Sequence, residues 1–268
     1  MNSPLPNYIA LILLALTFAL PPAASAQSAT PVIGFVVLHG KGGRPEGLTA
    51  PLDASLQQQG MLVISPEMPW SGKRKYDSDV AAAEAQITEA VRSLRQRGAS
   101  KVFLAGHSQG AVFGLHYASK HPLDGLVLIA PGGNVATNFY RQKVSPSVSK
   151  ARSLVAAGKG GEPGEFEEYE GDKGFWTVRT TAAAYLSWFD PEGAMNQTKS
   201  SRALPKTLPV LHVAPTSDYP ALLRAKDEMH GALATSLKRL YEPQSDHRNA
   251  PRDAAAEVAR WAAEIAKQ

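Results

Sequence analysis

The chain contains no cysteine. That absence excludes a disulfide-stapled scaffold, thiolate metal sites, thiol catalysis and an acylated-cysteine lipid anchor together. Charged residues are also sparse, at 19%, while hydrophobic residues reach 44%, a balance that excludes global disorder. Lys and Arg (28) exceed Asp and Glu (24) by only four. No basic block is long enough to form a nucleic-acid stripe, so nucleic acid is excluded as a partner. Long apolar runs are missing except near the start, where Ile9 to Leu20 is uncharged yet too short to span a bilayer.

That first run belongs to a leader pattern. A short polar stretch, Asn2 to Tyr8, precedes it; Pro21-Pro22 breaks it; and Ala24-Ser25-Ala26 supplies a small-residue cleavage site. The pattern predicts a removable secretory signal over residues 1–26 and an exported, periplasmic or secreted, mature domain over 27–268. The n-region lacks Lys and Arg, which leaves only the N-terminal amine as positive charge. The mature chain is expected to be soluble, with no membrane insertion.

From Pro31 onward, short β-branched runs alternate with helical patterns. Strands are predicted at 32–38, 61–64, 101–105, 126–130, 210–213 and 237–241, and helices at 48–59, 77–97, 109–121, 220–234 and 251–266. Strands separated by helices pair in parallel through right-handed crossovers. The expected fold is therefore α/β, a mostly parallel sheet of about six strands flanked by helices. Residues 133–207 break the alternation and are expected to fold as a cap insertion, since a structureless loop of that length does not suit a compact domain. Within it, the acidic stretch from Glu165 to Glu170 is expected to be a solvated surface. Trp176, Tyr185, Trp188 and Phe189 are expected to form the cap's own small core.

The informative motif is Gly106-His107-Ser108-Gln109-Gly110, directly after a predicted strand and before a predicted helix. In that context a G-x-S-x-G run is a tight, strained turn that lifts the Ser108 hydroxyl above the sheet edge, with Gly106 and Gly110 lacking the Cβ that would collide. The Gln109 backbone N–H, at a helix N-terminus, then faces charge developing on an attacked carbonyl oxygen. A hydroxyl nucleophile needs a base. Of seven histidines, His107 in the elbow points away from Ser108, while His116, His121, His212 and His230 sit inside predicted helices or a strand. His39 ends the first strand beside Gly40 and belongs to the oxyanion side. His247 lies in the loop after the last strand, at the edge where ligands bind in parallel sheets, and is the candidate base. Asp218, after the strand 210–213, is the candidate acid, with the adjacent Asp246 as its competitor.

The chain order Ser108, Asp218, His247, the elbow and the His39-Gly40 loop resemble the α/β-hydrolase superfamily over essentially the whole mature chain. The resemblance implies a serine hydrolase with a second oxyanion donor at the backbone N–H of Lys41 or Gly42, acting on carboxylic esters through an acyl-enzyme. A peptidase or thioesterase on the same residues is the nearest alternative, and a binding module with an unused elbow is the one from another class. Small, water-soluble ester substrates are expected, because an acidic, aromatic-poor cap has little apolar area to bury in a lipid surface. No cofactor is implied, and no metal-ligand spacing is present. Lys41 departs from the superfamily pattern, standing where an apolar residue is frequent; the antiparallel hairpin that begins many members and the His-Gly-Gly-Gly run of one branch are also missing.

Overall fold

The computed structural model describes Met1 and residues 31–268, so the expected signal segment lies outside the described residues. The alternating pattern folds as β1 (Ile33–Leu38), α1 (Ala50–Gln58), β2 (Leu62–Ile64), α2 (Val80–Gln96), β3 (Lys101–His107), α3 (Gln109–Ala118) and β4 (Gly125–Ile129). The insertion follows as α4 (Asn138–Ala156), β5 (Pro163–Glu170), β6 (Gly174–Thr181), α5 (Ala182–Phe189) and α6 (Gln197–Arg202). The chain then returns through β7 (Val210–Val213), α7 (Pro220–Ala232), β8 (Lys238–Tyr241), α8 (Ala250–Asp253) and α9 (Ala255–Ala266).

Six strands pair in the order β2-β1-β3-β4-β7-β8, every neighbour parallel. The registers Leu38↔Gly106, His107↔Ile129 and Val213↔Tyr241 bring the strand ends out along one edge. Winding reverses at β1, which has β2 on one side and β3 on the other, and this opens a crevice at the carboxyl ends of β1 and β3. The inner strands are apolar on both faces because helices cover both. Phe35, Phe103, Val127 and Leu211 pack with α1 and α9, where Trp261 meets Phe103 edge-on at 5.7 Å. Leu38, Leu104, Leu126 and Leu128 pack on the other face with Trp70 and Phe113. The outermost strands are short: β2 has three residues and β8 four.

Most helices are shorter by one to three residues at an end than the sequence pattern suggests, and two of the differences have a visible form. The helix expected from residue 77 starts at Val80 because the Asp79 carboxylate accepts from the Ala82 N–H at 2.8 Å and caps it there. The terminal helix is interrupted at Ala254, giving α8 and α9.

The insertion is α4, an antiparallel β5–β6 hairpin, α5 and α6. Its aromatic residues do not form a core of their own. Tyr185 stacks on Phe166 inside the insertion, but the Trp188 ring lies 5.6 Å from Trp70 and 5.2 Å from Phe113, and its Nε1–H donates to the Ser78 carbonyl. Phe189 packs on Tyr76 at 5.0 Å. These rings extend the main core because α5 lies over it. The acidic stretch is not uniformly solvated either: β5 alternates, so Glu165 and Glu167 face out while Phe166 and Glu168 face in. Glu168 is only 3% exposed.

Candidate active site

Ser108 sits between β3 and α3 with φ 54° and ψ −118°, a left-handed conformation rare for a side chain of any size. The turn is so tight that a Cβ on Gly106 would lie 2.3 Å from the Gly110 carbonyl oxygen. A Cβ on Gly110 would lie 2.6 Å from the carbonyl oxygens of Leu38 and His39 at the end of β1. No side chain fits at either place. The Ser108 N–H donates to the Ile129 carbonyl at 2.9 Å, which ties the strained residue to β4.

The loops after β7 and β8 run side by side. Thr216 N–H donates to the Pro243 carbonyl at 3.0 Å, and Ser217 N–H to the Ser245 carbonyl at 2.9 Å. This zipper brings Asp218 to His247. His247 Nδ1–H donates to Asp218 Oδ1 at 2.8 Å, and the Ser108 hydroxyl donates to His247 Nε2 at 3.0 Å. The structure thus brings Ser108, His247 and Asp218 together in one hydrogen-bonded chain. Asp218 Oδ1 also accepts from the Tyr219 N–H at 2.6 Å, and the Tyr219 ring packs at a tilt against His247, centroids 4.6 Å apart. Asp246 turns away: it accepts from the N–H groups of Arg248 and Asn249 and from Asn249 Nδ2, a turn-capping set that holds its carboxyl below the ordinary value.

His107 does not face Ser108. Its Nε2–H donates to the His247 carbonyl at 2.8 Å, so the elbow grips the backbone of the loop that carries His247. Burial, with the neighbouring His247, pushes the His107 imidazole down to about 4, which keeps the ring neutral.

The turn after β1 packs directly on the elbow, since a Cβ on Gly40 would be 3.3 Å from Ser108 Cβ. His39 Nε2 accepts from the Met68 N–H at 3.1 Å, and its Nδ1–H donates to the Gly40 carbonyl at 2.8 Å. Gly43 N–H donates to the same carbonyl, and Gly42 N–H donates to the Trp70 carbonyl at 2.8 Å. Gly42 is therefore already engaged. The backbone N–H groups of Lys41 and Gln109 have no acceptor among the described residues, and both residues line the cleft with Ser108 and His247. The Gln109 side chain points elsewhere, accepting from Tyr76 Oη at 3.0 Å.

The cleft around Ser108 has a volume of about 360 Å³, with Lys41, Arg44, Lys173 and Arg248 among its walls. Lys41, Gln109, Gly133 and Glu170 also border an inner chamber of about 290 Å³ beneath the insertion, lined by Tyr76, Phe139, Tyr140, Tyr169, Trp188 and Phe189. The sequence reading missed Tyr76, Tyr219 and Glu168. Only Glu168 left a signal, the two-residue alternation with Phe166. His116 and His121 lie on the far face beside Glu84, and His212 stacks on His230. No group of three or more His, Asp or Glu residues that could hold a metal ion occurs among the described residues. No helix among them is long and apolar enough to cross a membrane.

A sheet with this topology, an insertion after β4 and a serine elbow at the switch point define a class. The model of the alpha/beta hydrolase family matches residues 35–261, and the chain belongs to that family. Similar solved structures include one from the metagenome-derived lipolytic enzymes LipS and LipT, 20% identical, covering 89% of this chain and 95% of that one, with a TM-score of 0.59. A Paleococcus ferrophilus monoacylglycerol lipase is 20% identical over 87% of this chain and 94% of its own, TM-score 0.61. A carboxyl esterase from Bacillus coagulans is 14% identical over 89% and 90%, TM-score 0.59. Curated protein sequences yield no match.

Proposed function

We propose that the chain is an exported carboxylic ester hydrolase that works through Ser108, His247 and Asp218. The observation that carries this reading is the hydrogen-bonded chain from Ser108 Oγ through His247 to Asp218, beside two backbone N–H groups without acceptors. Ser108 Oγ attacks the acyl carbon and its proton passes to His247 Nε2. Asp218 holds the imidazole in the tautomer that receives that proton and stabilises the imidazolium that results. The Lys41 and Gln109 N–H groups face the oxyanion of the tetrahedral intermediate. His247 returns the proton to the departing alcohol, and water activated by the same imidazole then releases the acid and restores Ser108.

Compact, water-soluble esters fit this site. A cavity of about 150 Å³ holds benzene, so an inner chamber of about 290 Å³ suits a short acyl chain or a single ring and stops short of a long one. Export rests on the Ala24-Ser25-Ala26 pattern, and the mature chain is expected to begin at Gln27.

Labelling with a fluorophosphonate, with Ser108→Ala as control, tests the nucleophile: wild type is labelled and the variant is not. A binding module with an unused elbow takes no label. Turnover of p-nitrophenyl esters from two to sixteen carbons, set against matched amides and thioesters, tests the substrate class. A maximum at ten or more carbons, activation on emulsions, or faster cleavage of the amide or thioester overturns the compact-ester reading.

A further inference from the structure

Lys41 joins the oxyanion turn to the inserted hairpin by charge. Its ammonium donates to Glu168 Oε1 and lies 3.6 Å from Glu170 Oε2, two carboxylates two residues apart on the same face of β5. Glu170 accepts in turn from Lys173 Nζ at 2.8 Å. The four charges cancel, and they span the boundary between the catalytic cleft and the inner chamber.

Stability does not account for this arrangement. Glu168 is almost fully buried on a wall of aromatic rings, and burial pushes its carboxyl up against the opposing pull of Lys41. Taking two charges out of water costs several kcal/mol per ion, and apolar residues of similar size hold such a contact equally well. What an ion pair adds is a fixed direction between two elements. The turn needs one. On its core side the Gly40–Lys41 peptide is held through the Gly40 carbonyl, by His39 Nδ1–H and Gly43 N–H. In a planar trans peptide the Lys41 N–H points the opposite way from that carbonyl, toward the cleft. On the cleft side, the only polar tie between this turn and the insertion among the described residues is the Lys41 side chain.

We propose that Lys41 is a positioning residue whose ammonium, held by Glu168 and Glu170 of the hairpin, aims its own backbone N–H at the oxyanion and so couples the seating of the insertion to turnover. The proposal rests on the ester-hydrolase reading. A misplacement of about 1 Å costs on the order of a hundredfold, so loosening this turn lowers kcat about tenfold to a hundredfold and leaves KM within about threefold.

Kinetics of Lys41→Met, Glu168→Gln and the double replacement Lys41→Met with Glu168→Leu test it, with thermal melts on each. Glu168→Gln is decisive by sign. Removing a negative charge near a developing oxyanion speeds the reaction if only the field of Lys41 matters; it slows the reaction if Glu168 holds Lys41 in place. The expected result is a loss of kcat in all three variants, the double one losing no more than Lys41→Met alone, while its melting temperature stays at or above that of wild type. Lys41→Arg, which keeps the ion pair, is expected to recover most of the rate. A folded double variant with wild-type kcat, or a Glu168→Gln variant faster than wild type, overturns the proposal. Wild-type protein that takes no fluorophosphonate and cleaves no ester overturns the underlying reading instead, and the proposal falls with it.

Discussion

On the sheet side of the cleft, Ser108, Asp218 and His247 stand on turns that leave β3, β7 and β8; backbone hydrogen bonds tie the elbow to β4 and the last two turns to each other, and the His107 side chain ties the elbow to the His247 loop. On the insertion side, the walls are side chains: aromatic rings on α4, β5 and α5, and carboxylates on β5 gripping Lys41. Turns pinned by hydrogen bonds hold the reacting groups at fixed distances, whereas the rings are held by packing, Trp188 and Phe189 against Trp70, Tyr76 and Phe113 of the main core. The proposed chemistry therefore depends on directional bonds, and the proposed acyl site on packing.

Replacements of the two loop acids give the largest expected difference. Asp218→Asn favours the wrong imidazole tautomer and is expected to lower kcat by about 10³ to 10⁴, while Asp246→Asn, which touches only its own turn, stays within about tenfold of wild type. Steady-state kinetics on one soluble ester checks both, and equal losses would erase the distinction between the two loops. Next in size are two glycines. Gly106→Ala drives a methyl group into the Gly110 carbonyl and is expected to cost upward of about 3 kcal/mol. Gly158→Ala, at positive φ but in open space, is expected to cost about 1 kcal/mol. Urea melts read the difference.

Acid sensitivity divides the molecule in the same way. Residues 133–207 contain no histidine, whereas burial on β7, with His230 and Lys226 nearby, pushes His212 down to about 4. The unfolded chain then takes up a proton on this residue below pH 6.5 that the folded chain refuses. Stability from this group is complete above that pH and drains away as pH falls toward 4. A loss of roughly 2–3 kcal/mol between pH 7 and 4.5 follows from the shift, and His212→Asn is expected to flatten that part of the melting-temperature profile. A profile unchanged by the substitution would place the acid sensitivity elsewhere. The smallest effect belongs to the insertion. Phe139, 57% exposed at the chamber mouth, is expected on replacement by Ala to raise KM a few-fold for acyl groups that reach the ring, with kcat and stability nearly constant.

The sheet was legible in the sequence because buried parallel strands appear as continuous apolar runs with helices between them. The elbow was legible because its turn leaves no room for a side chain at 106 and 110. Asp218 and His247 could be placed at the carboxyl edge because each follows a strand. The choice between the Lys41 and Gly42 N–H groups was out of reach, since it depends on the Trp70 carbonyl, which the fold alone brings to Gly42. Glu168 was hidden for a related reason. An acidic run looks solvated until it is known to be a strand, and only then does alternate placement turn one carboxylate inward. The rings of the insertion misled because their partners, Trp70, Tyr76 and Phe113, lie far back in the chain.

The short outer strand β8 bears on how the protein behaves at high concentration. An exposed strand edge is a template on which a second molecule can add its own strand. Here β8 is only four residues long, and two of them are cations with work elsewhere. Lys238 donates to three carbonyls at the end of α7, and Arg239 reaches Glu257 and Glu264 on α9. A neighbouring chain that docked there would gain few hydrogen bonds and meet two committed positive charges, so this margin of the sheet resists edge-to-edge stacking.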